Sequence, residues 1–269
     1  MKLLIHSELE RLLNKKIFVL VLCVIPFVVL ALANYYSNNN QNLAKTNPEY
    51  VYVSNFPVLS LVEVFIPFFN ALIMLAVVFS YTEEFRTGQI RLVMLRKYKS
   101  IQIFWAKFCV TMIYLLLSLL IYYVSSFIIG HLYFEQADHL HLFNVKNAVS
   151  NYESYLYGFK YYLIAFLALM AMTTVFIFLS SISYSTTIAL GANLGFIVLS
   201  MFIGAQLSNH FGEVGYLQYI SLITIQFTGI AQAISNIGML IWIIILLCSY
   251  IIIFSILSTV FFSKKDFFL

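Results

Sequence analysis

The sequence predicts an all-α polytopic membrane protein with about six transmembrane helices, an N-terminal interfacial amphipathic helix and short extracellular re-entrant helices before the last span. Three observations predict it. The 269 residues are 62% hydrophobic and only 10% charged, whereas soluble domains carry roughly 25% charged residues. Apolar runs of bilayer-spanning length recur along the whole chain, each long enough for the roughly 30 Å of hydrocarbon. The charges concentrate in short intervals between those runs, most densely at residues 83–99.

Residues 1–16 have helical periodicity, with Ile5, Leu9, Leu12, Leu13 and Ile17 on one face and Ser7, Arg11, Asn14 and Lys15 on the other. A basic amphipathic helix joined to an apolar span reads as an interfacial elbow; the alternative is a helix that simply extends the span into water. The first span is residues 17–36. Ala31-Leu32-Ala33 has the form of a signal-peptidase site, but Glu8 and Glu10 are foreign to a signal n-region, so the segment is expected to be retained. Residues 37–57, Asn-rich with Pro48 and Pro57, read as an outer loop. The remaining spans are expected at 58–81, 103–130, 158–180, about 187–206 and 238–262. Residues 131–157 read as a second polar loop. Residues 208–237, with Gly212, Gly215, Gln226, Gly229 and Gln232, read as a re-entrant stretch.

Charge orients these spans. Of the 15 Lys and Arg residues, only Lys45, Lys146 and Lys160 fall on one side. The excess on the other side marks it as cytoplasmic. Both termini are then cytoplasmic, and the net charge of +4 is topological, with no nucleic-acid partner implied. An abundance of Phe, Tyr, Ile and Asn suggests an AT-rich bacterial genome, hence a bacterial plasma membrane.

The segment at 83–99 contains Glu83, Glu84, Arg86, Gly88, Arg91 and Arg96, followed by Lys97 and Lys99. An Arg or Lys at a helix centre costs about 2.5–3.5 kcal/mol on insertion scales, so this block belongs at the membrane surface. Ile90, Val93, Met94 and Tyr98 can share a helical face. A short helix held between two spans can pass force from a soluble partner; the alternative is a surface loop whose basic residues only fix topology. Span two carries Ser60, Glu63, Pro67 and Asn70, whose offsets put them on one stripe. A carboxylate in a span is a functional candidate, and the alternative is that Glu63 is merely hydrated near the outer boundary. In span five, Thr187, Gly191 and Gly195, and then Ser200 and Gly204, repeat at four-residue steps. That pattern suits close helix packing, between chains or within one.

Other chemistry is excluded or disfavoured. Cys23, Cys109 and Cys248 lie in apolar runs and form no disulfide or metal pattern. His131, Glu135, Asp138, His139 and His141 match no familiar zinc spacing and read as a solvated loop. Glu83-Glu84-Phe85-Arg86 has the wrong spacing for an intramembrane CAAX-type metalloprotease, and there is no Gly-x-Ser-x-Gly elbow. Paired aromatics such as Tyr35-Tyr36, Tyr122-Tyr123, Tyr161-Tyr162 and Phe261-Phe262 read as interface anchors.

The order of features resembles an ABC-2-type transporter permease over essentially the full length: elbow, six spans, acidic residues after span two, a Gly, a basic helix and a re-entrant region before span six. The local match is Glu84-x-x-x-Gly88, the basic run, then Trp105-Ala106-Lys107 leading into span three. Gln89 stands where the family usually has Thr, and residues 97–100 contain no Pro. The resemblance implies that residues 83–99 dock into a separate ATPase subunit and that spans two and five line the path between two permease chains, identical or related. This chain has no Gly-x-x-x-x-Gly-Lys-Ser/Thr loop, so ATP and Mg would be bound by the partner ATPase, with no cofactor and no catalysis in the chain itself. The cargo expected is an amphipathic peptide or lipid-like molecule moved outward. The competing expectation is a self-sufficient secondary transporter or channel with Glu63 as an ion or proton site.

Overall fold

The computed structural model describes residues 2–45, 47–84, 98–142, 148–211 and 216–264. Helix α1 spans Lys2–Asn14. Extended backbone at Lys15 (φ −74°, ψ 103°) breaks it from α2, Lys16–Asn40. Helix α3 spans Phe56–Glu83, α4 Ser100–Tyr133, α5 Asn151–Ile182, α6 Thr186–Phe211 and α8 Ile237–Lys264. Between the last two lies a short helix α7, Leu222–Ser235, entered through a 3₁₀ turn, Tyr216–Ile220. Strands β1 (His139–Leu140) and β2 (Val149–Ser150) form one antiparallel pair. Helices α2, α3, α4, α5, α6 and α8 are each long and apolar enough to cross a membrane. The protein is a multi-pass, all-α membrane protein.

One apolar core runs through the bundle. Helices α3 and α5 are its centre, with 61% of their most apolar windows buried, against 22% for α2, α6 and α8. Those outer helices keep broad apolar surfaces, as lipid-facing helices must. Helix α2 packs on α4, and α5 on α8. Phe262, near the end of α8, meets Phe104 at a tilt and Tyr81 edge to face, and α1 packs on α4. The two ends of the described chain therefore share one end of the bundle, as an even number of crossings requires.

Several boundaries differ from the sequence expectation. Helix α2 runs to Asn40, four residues past the expected end at 36. There, Asn40 donates to the carbonyl of Val51 (2.9 Å) and accepts from its N–H (3.0 Å). Residues 51–55 are not a solvated loop: all five are buried, and the Asn55 side chain holds Tyr50 and Tyr52 backbone groups. Helix α5 starts seven residues before the expected 158, because Ser150 and Glu153 form a capping box. The expected interface aromatics divide: Tyr35 and Phe261 are exposed, whereas Tyr36, Tyr122, Tyr161 and Phe262 are buried in the core.

Helix α1 packs its expected apolar face inward, with Leu12 buried and Ile5, Leu9 and Leu13 against the core, while Ser7 and Asn14 are exposed. Leu4, Glu8 and Leu12 are its buried residues, Arg11 and Lys15 are partly covered, and Ile17 is exposed. Glu8 is drawn in beside this apolar face, and Arg11 and Lys15 reach around it, because their charges have partners there.

Helix α3 is not α-helical throughout. It widens to π-helical turns at Phe65–Phe69 and Val78–Glu83. The first contains Pro67, which has no N–H to donate and so disrupts the α-helical ladder. Helix α7 has its own π turn at Ile225–Gly229.

The small residues of α6 split into two functions of geometry. A Cβ on Gly204 would sit 2.0 Å from Thr224 Oγ1 and 3.3 Å from Ser221 Cβ, so α6 and α7 touch there, and the Ser221 hydroxyl donates to the Ser200 carbonyl at 2.6 Å. A Cβ on Gly191 or Gly195 would meet nothing within 4 Å. Substituting Gly204 by Val should therefore overpack this contact and lower stability by about 1–3 kcal/mol. Gly191→Ala should leave the thermal midpoint of the detergent-solubilised protein unchanged or slightly raised. Unfolding monitored by fluorescence-detected size exclusion distinguishes the two.

Candidate functional site

Lys107 sits in the first third of α4, inside an apolar run, with its side chain 1% exposed. A buried ammonium must be paired and hydrogen-bonded. Its Nζ donates to Glu8 Oε2 of α1 at 3.1 Å, to the Ser80 carbonyl of α3 at 3.0 Å, and to Glu84 Oε2 immediately after α3. Arg11 of α1 pairs with both of these carboxylates. Lys15, at the α1–α2 break, donates to Glu84 Oε1 (3.3 Å) and to the Phe79 carbonyl (2.9 Å), and lies 3.7 Å from Glu83. Three carboxylates thus face three cations across four chain segments.

Glu8 and Glu84 have side chains only 4% exposed. Burial works to raise the Glu84 pKa, but Lys107, Arg11 and Lys15 outweigh it and hold the carboxyl below its usual range. The two carbonyls in the network come from α3 where its π turn, Val78–Glu83, frees main-chain acceptors from the α-helical ladder. Of the six residues expected to couple to an ATPase, Glu83 and Glu84 are thus committed to ion pairs within the chain. Arg86, Gly88, Arg91 and Arg96 lie outside the described residues.

Midway along the bundle the Asn70 and Gln226 side chains, both fully buried, form a reciprocal pair. Asn70 Nδ2 donates to Gln226 Oε1 at 2.7 Å, and Gln226 Nε2 donates to Asn70 Oδ1 at 3.2 Å. Asn70 follows the π turn of α3, and Gln226 lies within that of α7. The pair therefore ties the short helix to the centre of the bundle.

The four residues expected to share a stripe on span two differ in burial. Ser60 and Asn70 are buried, while Glu63 and Pro67 are exposed. A π turn inserts an extra residue, so positions beyond Phe69 rotate relative to those before Phe65. Glu63 alone of the four borders a cavity of about 510 Å³ at the end of the bundle opposite Lys107. The end of α2, the segment around Glu49, the start of α3, the first turns of α5, and α7 all contribute to its walls. The Tyr36 hydroxyl donates to the Leu59 carbonyl at 3.2 Å and reaches Glu63 Oε1 at 3.4 Å.

Elsewhere, Glu135 pairs with Lys45 at 3.0 Å in the open, and among the described residues no group of three or more His, Cys, Asp and Glu could hold a metal. Gly191 and Gly195 face open space; Ser200 and Gly204 face α7.

Two features escaped the sequence reading. Lys107 had a signal that could have found it: a lone cation inside an apolar run needs a carboxylate, and Glu8 and Glu84 stood on the same side. The Asn70–Gln226 pair left no signal, because residues so far apart meet only when α7 folds back.

Residues 19–268 match the model of a family described as "Protein of unknown function (DUF2705)", and the chain belongs to that family. No curated protein matches it.

Removing the central ammonium should leave two buried carboxylates with one cation fewer between them. Lys107→Met is expected to cost about 3–5 kcal/mol, read as a large fall in thermal midpoint at pH 7. Because the folded Glu84 value lies below the ordinary 4.5, its stabilisation is complete above that pH and is lost as pH falls below it. The wild-type midpoint should drop on acidification through this range, and Glu84→Gln should flatten that dependence.

Proposed function

We propose that this DUF2705 member is the membrane-spanning permease subunit of an ATP-driven exporter of the ABC-2 class, in a bacterial plasma membrane with both termini cytoplasmic. A separate ATPase subunit binds ATP and Mg and supplies the work. A second permease chain, identical or related, completes the path, and the cargo is an amphipathic molecule moved outward. The chain performs no catalysis of its own.

The observation that carries this reading is the ion-pair network around Lys107. Residues 85–97, the basic stretch, join Glu84 to the segment before Lys99. Glu84 is bonded to α1 through Arg11, to the α1–α2 break through Lys15, and to α4 through Lys107. Any force applied to the basic stretch therefore reaches the elbow and spans one, two and three together. Buried pairs resist being pulled apart because separation leaves uncompensated charge in a dry environment. A soluble motor pushing on this end moves three helices as one body, which is what coupling requires.

Two further features support the reading. Helix α3 contains two π-helical stretches, which give the central span a backbone that can change register more readily than a plain α-helix. Gly191 and Gly195 leave the outer face of α6 free of steric bulk, room for a helix of a second chain to approach closely.

A second reading rests on one observation: Glu63 opens onto a cavity within reach of a tyrosine hydroxyl. A secondary transporter could use it as a proton or cation site. The two readings separate experimentally. A tagged wild-type chain purified from its native membrane should bring down a nucleotide-binding ATPase, and Arg91→Glu combined with Arg96→Glu should abolish that association while the chain stays in the membrane. Failure of any ATPase to associate with the wild type overturns the exporter reading. Transport that persists in Glu63→Gln argues against the secondary-transporter reading.

A further inference from the structure

The cavity at the end opposite Lys107 has a composition that selects its ligand. Its volume, about 510 Å³, is that of a small-molecule site. Two carboxylates, Glu63 and Glu49, border it, and among the described residues no Lys, Arg or His does. Four tyrosines and Phe227 supply aromatic surface, and Val58, Leu59, Val62, Leu142 and Ala231 supply aliphatic surface.

Each part has a consequence. An anion entering this space would meet two like charges and, among the described residues, no cation, so it is disfavoured. A strongly hydrated small cation gains little from aromatic and aliphatic walls. A cation carrying bulky apolar substituents loses little hydration on entry, is attracted to the faces of the rings and satisfies the carboxylates. Glu63 lies seven residues beyond Phe56, the first residue of α3, so about 10 Å below the helix end. Glu63 and Glu49 are both exposed. Of the two, Glu63 stands beside the Tyr36 hydroxyl.

We propose that this cavity is a binding site for hydrophobic cations, with Glu63 as the charge-recognising group and Tyr35, Tyr36, Tyr157 and Tyr161 as its aromatic wall. This deepens the transport reading by naming the class of cargo: an amphipathic molecule with a positively charged, apolar-substituted end. Phe227 belongs to the π turn of α7, next to Gln226. Occupation of the cavity is therefore sensed one residue from the amide pair that locks α7 to α3.

The test uses two probes of nearly the same shape and opposite charge, tetraphenylphosphonium and tetraphenylborate. Equilibrium dialysis against the purified chain in nanodiscs, with empty nanodiscs as the blank, reads saturable binding. The wild type should bind tetraphenylphosphonium saturably, and tetraphenylborate should not displace it. Glu63→Gln keeps an acceptor for Tyr36 and removes the charge; it should weaken binding at least tenfold at an unchanged thermal midpoint. Glu49→Gln should weaken it less. Absence of saturable phosphonium binding, equal displacement by the borate, or undiminished binding to a folded Glu63→Gln variant would each overturn the proposal. The measurement involves neither ATPase nor ATP, so its failure leaves the coupling reading standing, and failure of ATPase co-purification leaves this one standing.

Discussion

A single buried ammonium sets the terms for one whole end of this protein. Lys107 cannot be charged in an apolar bundle without carboxylates at hydrogen-bond distance, and Glu8 and Glu84 supply them from opposite sides. Those carboxylates in turn require Arg11 and Lys15. The consequence is architectural: α1 cannot leave the bundle, the break at Lys15 is fixed in place, and the exit from α3 is held against the entry to α4. Replacing the group with well-packed apolar residues could be neutral for stability. What such a core would lose is the directional connection between the charged surface segment and three spans.

The centre of the bundle follows a different logic. Helices α3 and α5 are surrounded by other helices, so polar groups there must be satisfied within the protein. Asn70 and Gln226 do this for each other. Both sit at or next to π turns, where the wider backbone displaces side chains from the positions a regular helix would give them. The short helix α7 is held by this pair, by the close contact at Gly204, and by the Ser221–Ser200 hydrogen bond. It thereby becomes a wall of the cavity that contains Glu63 rather than a loose surface element. Irregular backbone at membrane depth is tolerated where it is enclosed by protein or lines a cavity, and α7 does both.

The two ends of the molecule therefore carry complementary kinds of site. One end is a closed, neutral cluster of ion pairs suited to transmitting force. The other is an open cavity with unbalanced negative charge and aromatic walls, suited to holding a ligand. Helix α3 connects them directly, since it contributes Ser80 and Phe79 carbonyls to the first and Glu63 to the second. Its π turns lie between Glu63 and Glu84, which makes this helix the element through which the two ends communicate.

Much of the fold was legible because hydropathy alone forces it: a run of apolar residues of bilayer length has to be a helix, and each of the six expected spans corresponds to one. Helix ends were less legible, since Asn40 and the Ser150–Glu153 box extend α2 and α5 through local hydrogen bonds that compete only weakly with a polar loop in composition. The site was legible in parts. Glu63 stood out as a charge in an apolar run, and Gly204 as a small residue in a spaced series. The sequence by itself determined which segments cross and that a charge-dense surface segment follows span two. Only the tertiary structure decided that Arg11 and Lys15 find carboxylates within the bundle, that Asn70 is buried against Gln226 while Glu63 is exposed, and that Glu63 borders a cavity. The reason is that periodicity assumes a uniform helix, and a π turn at Pro67 breaks that assumption. Burial of a charge, moreover, depends on partners that only folding brings within reach.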